Sequence, residues 1–247
     1  MNEGIATAID AFGRRWNGYE TRGTEHLPPA GSGGLIVFYH GFLPLDAWYF
    51  GTRYYLETGR IVHGLGDRWL FKVPGLSQLV TSMGSAEGTR ENAVNWLQSG
   101  ELVGVSPGGT REAIKGRREH YTLKWGHRLG FVEVAMEAGV PMFPAFTENV
   151  EELYRSPLVG SRPIQALYER TRWPIVPVVG LGPLPLPVKL TSHIGPGVVA
   201  RPGESAADVR QRVADGIRAL IAAHQSSRPR IPRALLQRFR AGSDSVG

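Results

Sequence analysis

Short, largely apolar runs separated by segments of helical period constrain this chain most. Leu35–Tyr39, Ile61–Leu65, Leu102–Val105, Val140–Phe146 and Ile175–Leu181 are each four to seven residues long. Runs of that length suit strands buried on both faces. Between them the apolar residues recur every three or four positions. Ile5, Ala8, Ile9, Phe12 and Trp16 predict an opening amphipathic helix, and Pro44 suits the first turn of a helix running to about Thr58. Arg90–Leu97 reads as helical. Trp125, Leu129, Val132 and Met136 mark one face of a helix that stops at Gly139, and Val209, Val213, Ile217, Leu220 and Ile221 line a long final helix. Strands alternating with helices predict an α/β fold, a single domain with a largely parallel central sheet flanked by helices. The organisation expected is an N-terminal amphipathic helix over residues 1–18, one domain over 19–226 and a basic C-terminal tail over 227–247.

Composition narrows the classes. At 42% hydrophobic content, 247 residues can bury a substantial core, and no stretch is apolar enough to predict a transmembrane span. Glu3, Gly4 and Asp10 interrupt the N-terminus, so it does not read as a secretory signal. The absence of cysteine excludes disulfides, thiol nucleophiles and thiolate metal sites, and a cytoplasmic location is the expectation. The net charge of +6 is concentrated in two places. Arg228–Gly247 holds five arginines against one aspartate, and Arg111–Arg128 holds six basic against two acidic residues. Such patches suit anionic lipid, a phosphate-bearing substrate, nucleic acid, or simply a solvated face.

Two segments leave predicted buried strands with unusual chemistry, and ligands of open α/β sheets bind beyond the carboxyl ends of strands. The first is His40-Gly-Phe-Leu-Pro-Leu-Asp46. A histidine there can act as a general base near neutral pH, with a carboxylate fixing its tautomer. The same residues also suit a histidine under a loop and an aspartate in the first turn of a helix. The second is Ser106-Pro-Gly-Gly-Thr-Arg111-Glu112. Gly108 and Gly109 would let backbone N–H groups approach an anion, with Arg111 beside them, or would make an ordinary turn. No Gly-x-Ser-x-Gly elbow, phosphate-binding loop or dinucleotide fingerprint occurs, and Gly75–Leu79 lacks the second glycine of the elbow. Direct attack by an activated acceptor therefore fits better than a covalent enzyme intermediate. His63, His120, His127 and His193 show no metal-ligand spacing and are expected to be structural or on the surface; no metal and no cofactor is predicted.

Taken together and in order, the two segments resemble the glycerolipid acyltransferase superfamily, with His-x5-Asp here and Ser-Pro-Gly-Gly-Thr-Arg-Glu at the third motif. The stretches Tyr39–Phe50, Ser106–Ala113 and Trp125–Asn149 are most similar to its diacylglycerol-acyltransferase-like branch, and the likeness runs over roughly Tyr19–Gly195. The resemblance implies a PlsC-like fold and transfer of a fatty acyl group from a thioester, acyl-CoA or acyl carrier protein, to a lipid hydroxyl. It implies His40 as general base, Asp46 orienting it, and Arg90, Gly108, Gly109, Arg111 and Glu112 handling substrate. Pro174–Pro177 would shape the pocket. The partners implied are an acyl thioester donor, a glycerolipid acceptor, neutral or weakly charged, and an anionic membrane surface, with no nucleic acid. From the residues themselves, the apolar faces and arginines of the first helix and the basic tail suit either peripheral attachment to the membrane or packing on the domain. A hydrolase using the same pair on water, and an inactive lipid-binding protein, are the alternatives.

Overall fold

The computed structural model describes residues 1–155, 161, 166, 179–182, 184–226 and 230–243. Seven strands form one sheet: β1 (Glu20–Arg22), β2 (Gly34–Phe38), β3 (Val62–Gly66), β4 (Ala86–Glu87), β5 (Leu102–Val105), β6 (Met142–Glu148) and β7 (Thr191–Ile194), in the order β1-β7-β6-β2-β5-β3-β4. Every pairing is parallel except β6 with β7. The expected α/β architecture is thus the observed one. β2 lies at the centre because all five of its residues are buried, as a strand covered on both faces requires. The predicted run Ile175–Leu181 and the Pro174–Pro177 segment fall largely outside the described residues.

The helices are α1 (Glu3–Asn17), α2 (Leu45–Thr58), α3 (Leu76–Ser82), α4 (Arg90–Gln98), α5 (Thr110–Ala113), α6 (Gly130–Ala138), α7 (Ala206–His224) and α8 (Ile231–Ser243). Their ends follow local chemistry. The Asn2 side chain accepts the Ile5 N–H at 3.1 Å to cap α1, and Ser205 caps α7 through the Asp208 N–H. Helix α1 packs on α2, while α4 packs on α6 and α6 on α7. The apolar stripe of α1 faces the domain: Phe12 stacks on Trp16 and meets Tyr49 of α2, and the Trp16 indole N–H donates to Pro185 O at 2.9 Å. Of the two faces open to that stripe from the sequence, core and membrane, the structure turns it toward the domain, with Ile9, Phe12 and Trp16 half-buried. Helix α8 also docks on the domain. Ala234 is buried, Gln237 exchanges hydrogen bonds with Asn149 and Glu148, and Arg238 donates to the carbonyls of Arg15 and Trp16 at the C-terminus of α1. Leu236 and Phe239 on α8 remain exposed.

The register decides what meets what. β2 and β5 are parallel neighbours with Val37 opposite Val105. Three residues beyond that pair stand His40, past the end of β2, and Gly108, past the end of β5. The order places β5 on one side of β2 and β6 on the other. The crevice at this reversal is where open α/β sheets hold ligands.

Candidate active site

His40 leaves the end of β2 at the wall of a cavity of about 1030 Å³. That is at the upper end of ligand pockets, which run to roughly 1,000 Å³. Phe38, Phe42, Trp48, Leu65, Phe71 and Phe131 make much of the wall apolar, while Ser106, Thr110, Arg90, Arg128 and His40 add polar groups to it. Such a space accepts a long hydrocarbon with a polar group at one end.

The imidazole is held in one tautomer. Its Nδ1 is hydrogen-bonded to the Gly41 carbonyl, which can only accept, so Nδ1 carries the proton and Nε2 keeps its lone pair. Burial lowers the pKa of His40, aided by the Lys115 charge, while the Gly41 carbonyl and Glu151 oppose the shift. Burial thus favours the neutral form of this imidazole. Asp46 was expected to hold this ring. It lies in the first turn of α2, and among the described residues it makes no hydrogen bond to His40. The residue is 2% exposed, and burial pushes the carboxyl pKa up to about 6 against the Thr147 hydroxyl and the local backbone N–H groups. Asp46 Oδ2 has no hydrogen-bond partner among the described residues. Behind Thr147, Tyr19 donates to Ser192 Oγ at 2.8 Å, and Ser192 shares a 2.7 Å hydrogen bond with Thr147.

The second segment separates its residues. Gly109 adopts φ 50°, a left-handed value open to glycine, and its N–H closes a turn on Ser106 O at 3.0 Å. That amide is occupied, so of the two roles the sequence left open, anion cradle or ordinary turn, Gly109 takes the turn. Arg111 is exposed and does not border the cavity, and neither does Gly108. Glu112 is wholly buried and does not border the cavity. Arg90 borders the cavity as expected, but its guanidinium also pairs with Glu133 and Glu137 of α6.

Sequence reasoning missed two features. Arg128 borders the cavity and donates to the carbonyls of Pro107 and Gly108, the latter at 3.1 Å. It lay inside the quoted Trp125–Asn149 block, but no spacing rule marks it. The other is a buried ionic cluster under the strand end. The Lys115 ammonium, fully buried, lies 2.9 Å from Glu151 Oε1 and donates to the Tyr39 hydroxyl. Tyr39 in turn donates to Glu151 and accepts the Tyr121 N–H at 2.7 Å. Of the other histidines, His63 stacks on Trp96 and His193 on His224, as structural residues do.

The acyltransferase family model matches residues 19–148, from β1 to the end of β6, and so spans both motif segments and the strands that carry them. The chain belongs to the acyltransferase family. Among its similar members is the bovine "DGAT1/2-independent enzyme synthesizing storage lipids", 40% identical over 236 residues, covering 96% of this chain and 69% of that protein. The human protein of the same description is 40% identical over 235 residues, covering 95% and 70%. The human acyl-CoA wax alcohol acyltransferase 1 is 34% identical over 89 residues, 35% of this chain and 27% of that one. The crystal structure of the 1-acyl-sn-glycerophosphate acyltransferase PlsC from Thermotoga maritima shares the fold, with a TM-score of 0.51 at 17% identity over 87% of this chain and 79% of that one. This acyltransferase has no described helix long and apolar enough to cross a membrane.

Proposed function

We propose that this acyltransferase moves a fatty acyl group from a thioester, acyl-CoA or acyl carrier protein, to a hydroxyl of a glycerolipid, with His40 as general base. The observation that carries the reading is a neutral imidazole, its Nε2 lone pair free of Nδ1's hydrogen bond, on the wall of a large apolar cavity. The acceptor hydroxyl gives its proton to Nε2 as its oxygen bonds to the thioester carbonyl carbon. The tetrahedral adduct then collapses with cleavage of the carbon–sulfur bond, and the departing thiolate takes the proton from Nε2. The acyl chain lies along Phe38, Trp48 and Phe71. Arg128 and Arg90 meet the anionic part of the donor. The Glu151 charge favours the transient imidazolium.

A neutral or weakly charged glycerolipid is the preferred acceptor. The storage-lipid description of the 40%-identical relatives supports it, and so does the pairing of Arg90 with two glutamates and the position of Arg111 off the cavity. The exposed Leu236 and Phe239, among the arginines of α8, would hold the enzyme on an anionic membrane surface.

The test follows free thiol release from acyl-CoA by the purified protein with monoacylglycerol, diacylglycerol, lysophosphatidate or no lipid. Release that needs a neutral acylglycerol is the expected result. Equal release without acceptor would make the protein a hydrolase, release favoured by lysophosphatidate would move it to the charged-acceptor class, and binding without turnover would leave a lipid-binding protein.

A further inference from the structure

Glu112 has no exposed surface, yet both carboxylate oxygens are engaged across distant parts of the chain. Oε2 accepts the backbone N–H of His40 at 3.2 Å, and Oε1 accepts that of Lys124 at 2.7 Å. One side chain thus ties the end of β2 to the segment after α5. The carboxyl group also fills the space over Gly108. A Cβ at Gly108 would stand 2.0 Å from Glu112 Cδ and 2.2 Å from Cγ, closer than atoms can approach. The backbone of Gly108 is not left-handed, so conformation alone does not demand glycine there. Its missing side chain is the clearance for the carboxylate.

We propose that Glu112 is a positioning residue that holds the backbone of His40 in register for proton transfer, with Gly108 kept as glycine to admit it. Neither residue touches substrate. The role in turnover rests on the reading of His40 as base; the coupling of Glu112, Gly108 and the His40 amide does not. An N–H group facing a carboxylate oxygen is a strong, charge-assisted hydrogen bond. In Glu112→Gln one oxygen becomes a donor, so whichever way the amide lies, one of the two N–H groups loses its acceptor. Small misplacements of a reacting group can lower rates by about 10²-fold.

Two measurements test this. The first is steady-state kinetics of Glu112→Gln with acyl-CoA and acylglycerol. The expected result is kcat lower by ~10–100-fold with both KM values within about two-fold of wild type. A raised KM at unchanged kcat would place Glu112 on substrate and overturn the proposal. The second needs no turnover: the His40 backbone amide resonance and the thermal midpoints of Gly108→Ala, Glu112→Ala and the double variant. The His40 amide is expected to shift in Gly108→Ala, and Gly108→Ala to lose its cost once Glu112 is truncated. An unmoved amide, or full additivity, would overturn the coupling. Should Glu112→Gln not fold, Gly108→Ala displaces the same carboxylate and supplies both readouts. A wild type that transfers no acyl group would refute His40 as base while leaving the resonance and the thermal cycle to decide the role of Glu112.

Discussion

Asp46 sits buried with one oxygen unpartnered, and burial lifts its pKa from 3.8 to about 6. An acid whose folded pKa exceeds its unfolded one favours folding most below about pH 4, and that contribution is lost as pH rises through about 6. At neutral pH the charge therefore opposes folding, by up to ~3 kcal/mol for a shift of this size. Asp46→Asn should melt above wild type at pH 7.5, with the gain shrinking toward pH 4, and should lose ~10²-fold or more in acyl transfer. A variant with full activity would reduce Asp46 to a residue of the first helical turn. His193 has the opposite sign. Burial and the stacked His224 lower its pKa to about 4, so stability is complete above about pH 6.5 and falls as pH drops toward 4. Melting curves between pH 4 and 8 should show a weaker acid-side decline in His193→Asn; an unchanged decline would exclude this histidine as its source. At this scale His40 was legible because a histidine directly after an apolar run needs only sequence to be noticed. The contacts of Glu112 were not, because they join it to His40 across 72 positions, and what decides them is the 2.0 Å space over Gly108.

The segment from α5 to Lys124 works as a clamp on the end of β2. It supplies Glu112 to the His40 N–H, and Lys115 and the Tyr121 N–H to the Tyr39 hydroxyl. Glu151 completes the cluster from the turn after β6. Breaking a buried ion pair by removing one partner typically costs about 3–5 kcal/mol. Lys115→Met should destabilise by that amount, seen as a lower denaturant midpoint at unchanged slope. Lys115→Met/Glu151→Leu should recover part of it, and recovery absent from the double variant would argue against the pair. The central strands and long helices were legible as elements because apolar period and length agree there. β1 and β4 were not, being three and two residues long and paired at the sheet edges. β7 was missed because Thr-Ser-His-Ile carries polar side chains that are nonetheless buried, through Ser192 on Tyr19 and Thr147, and His193 on His224. Helix α6 begins at Gly130, after Trp125, which packs its ring on Phe131 instead of extending the helix.

For the whole molecule, the two terminal helices differ in what they leave outside. Helix α1 turns its apolar stripe toward α2, while α8 presents Leu236 and Phe239 on an arginine-bearing helix. Co-sedimentation with anionic vesicles should weaken with salt and fall in Leu236→Ser/Phe239→Ser, with the fold retained. Binding unchanged in that variant would place the contact elsewhere. The sequence alone showed the architecture because buried parallel strands and amphipathic helices follow local periodicity. It could not show the strand order that sets β5 and β6 on either side of β2, which arises from pairing between distant segments. The proposed function requires His40 as the base that takes the acceptor's proton while the acyl group passes from thioester to glycerolipid. Its most direct test is formation of acylated glycerolipid from labelled acyl-CoA by purified wild-type and His40→Ala protein, matched for thermal midpoint. Acceptor-dependent product that falls by ~10²–10⁴-fold in His40→Ala is the result expected of a lost general base. Product formed by the variant within a few-fold of wild type would contradict it.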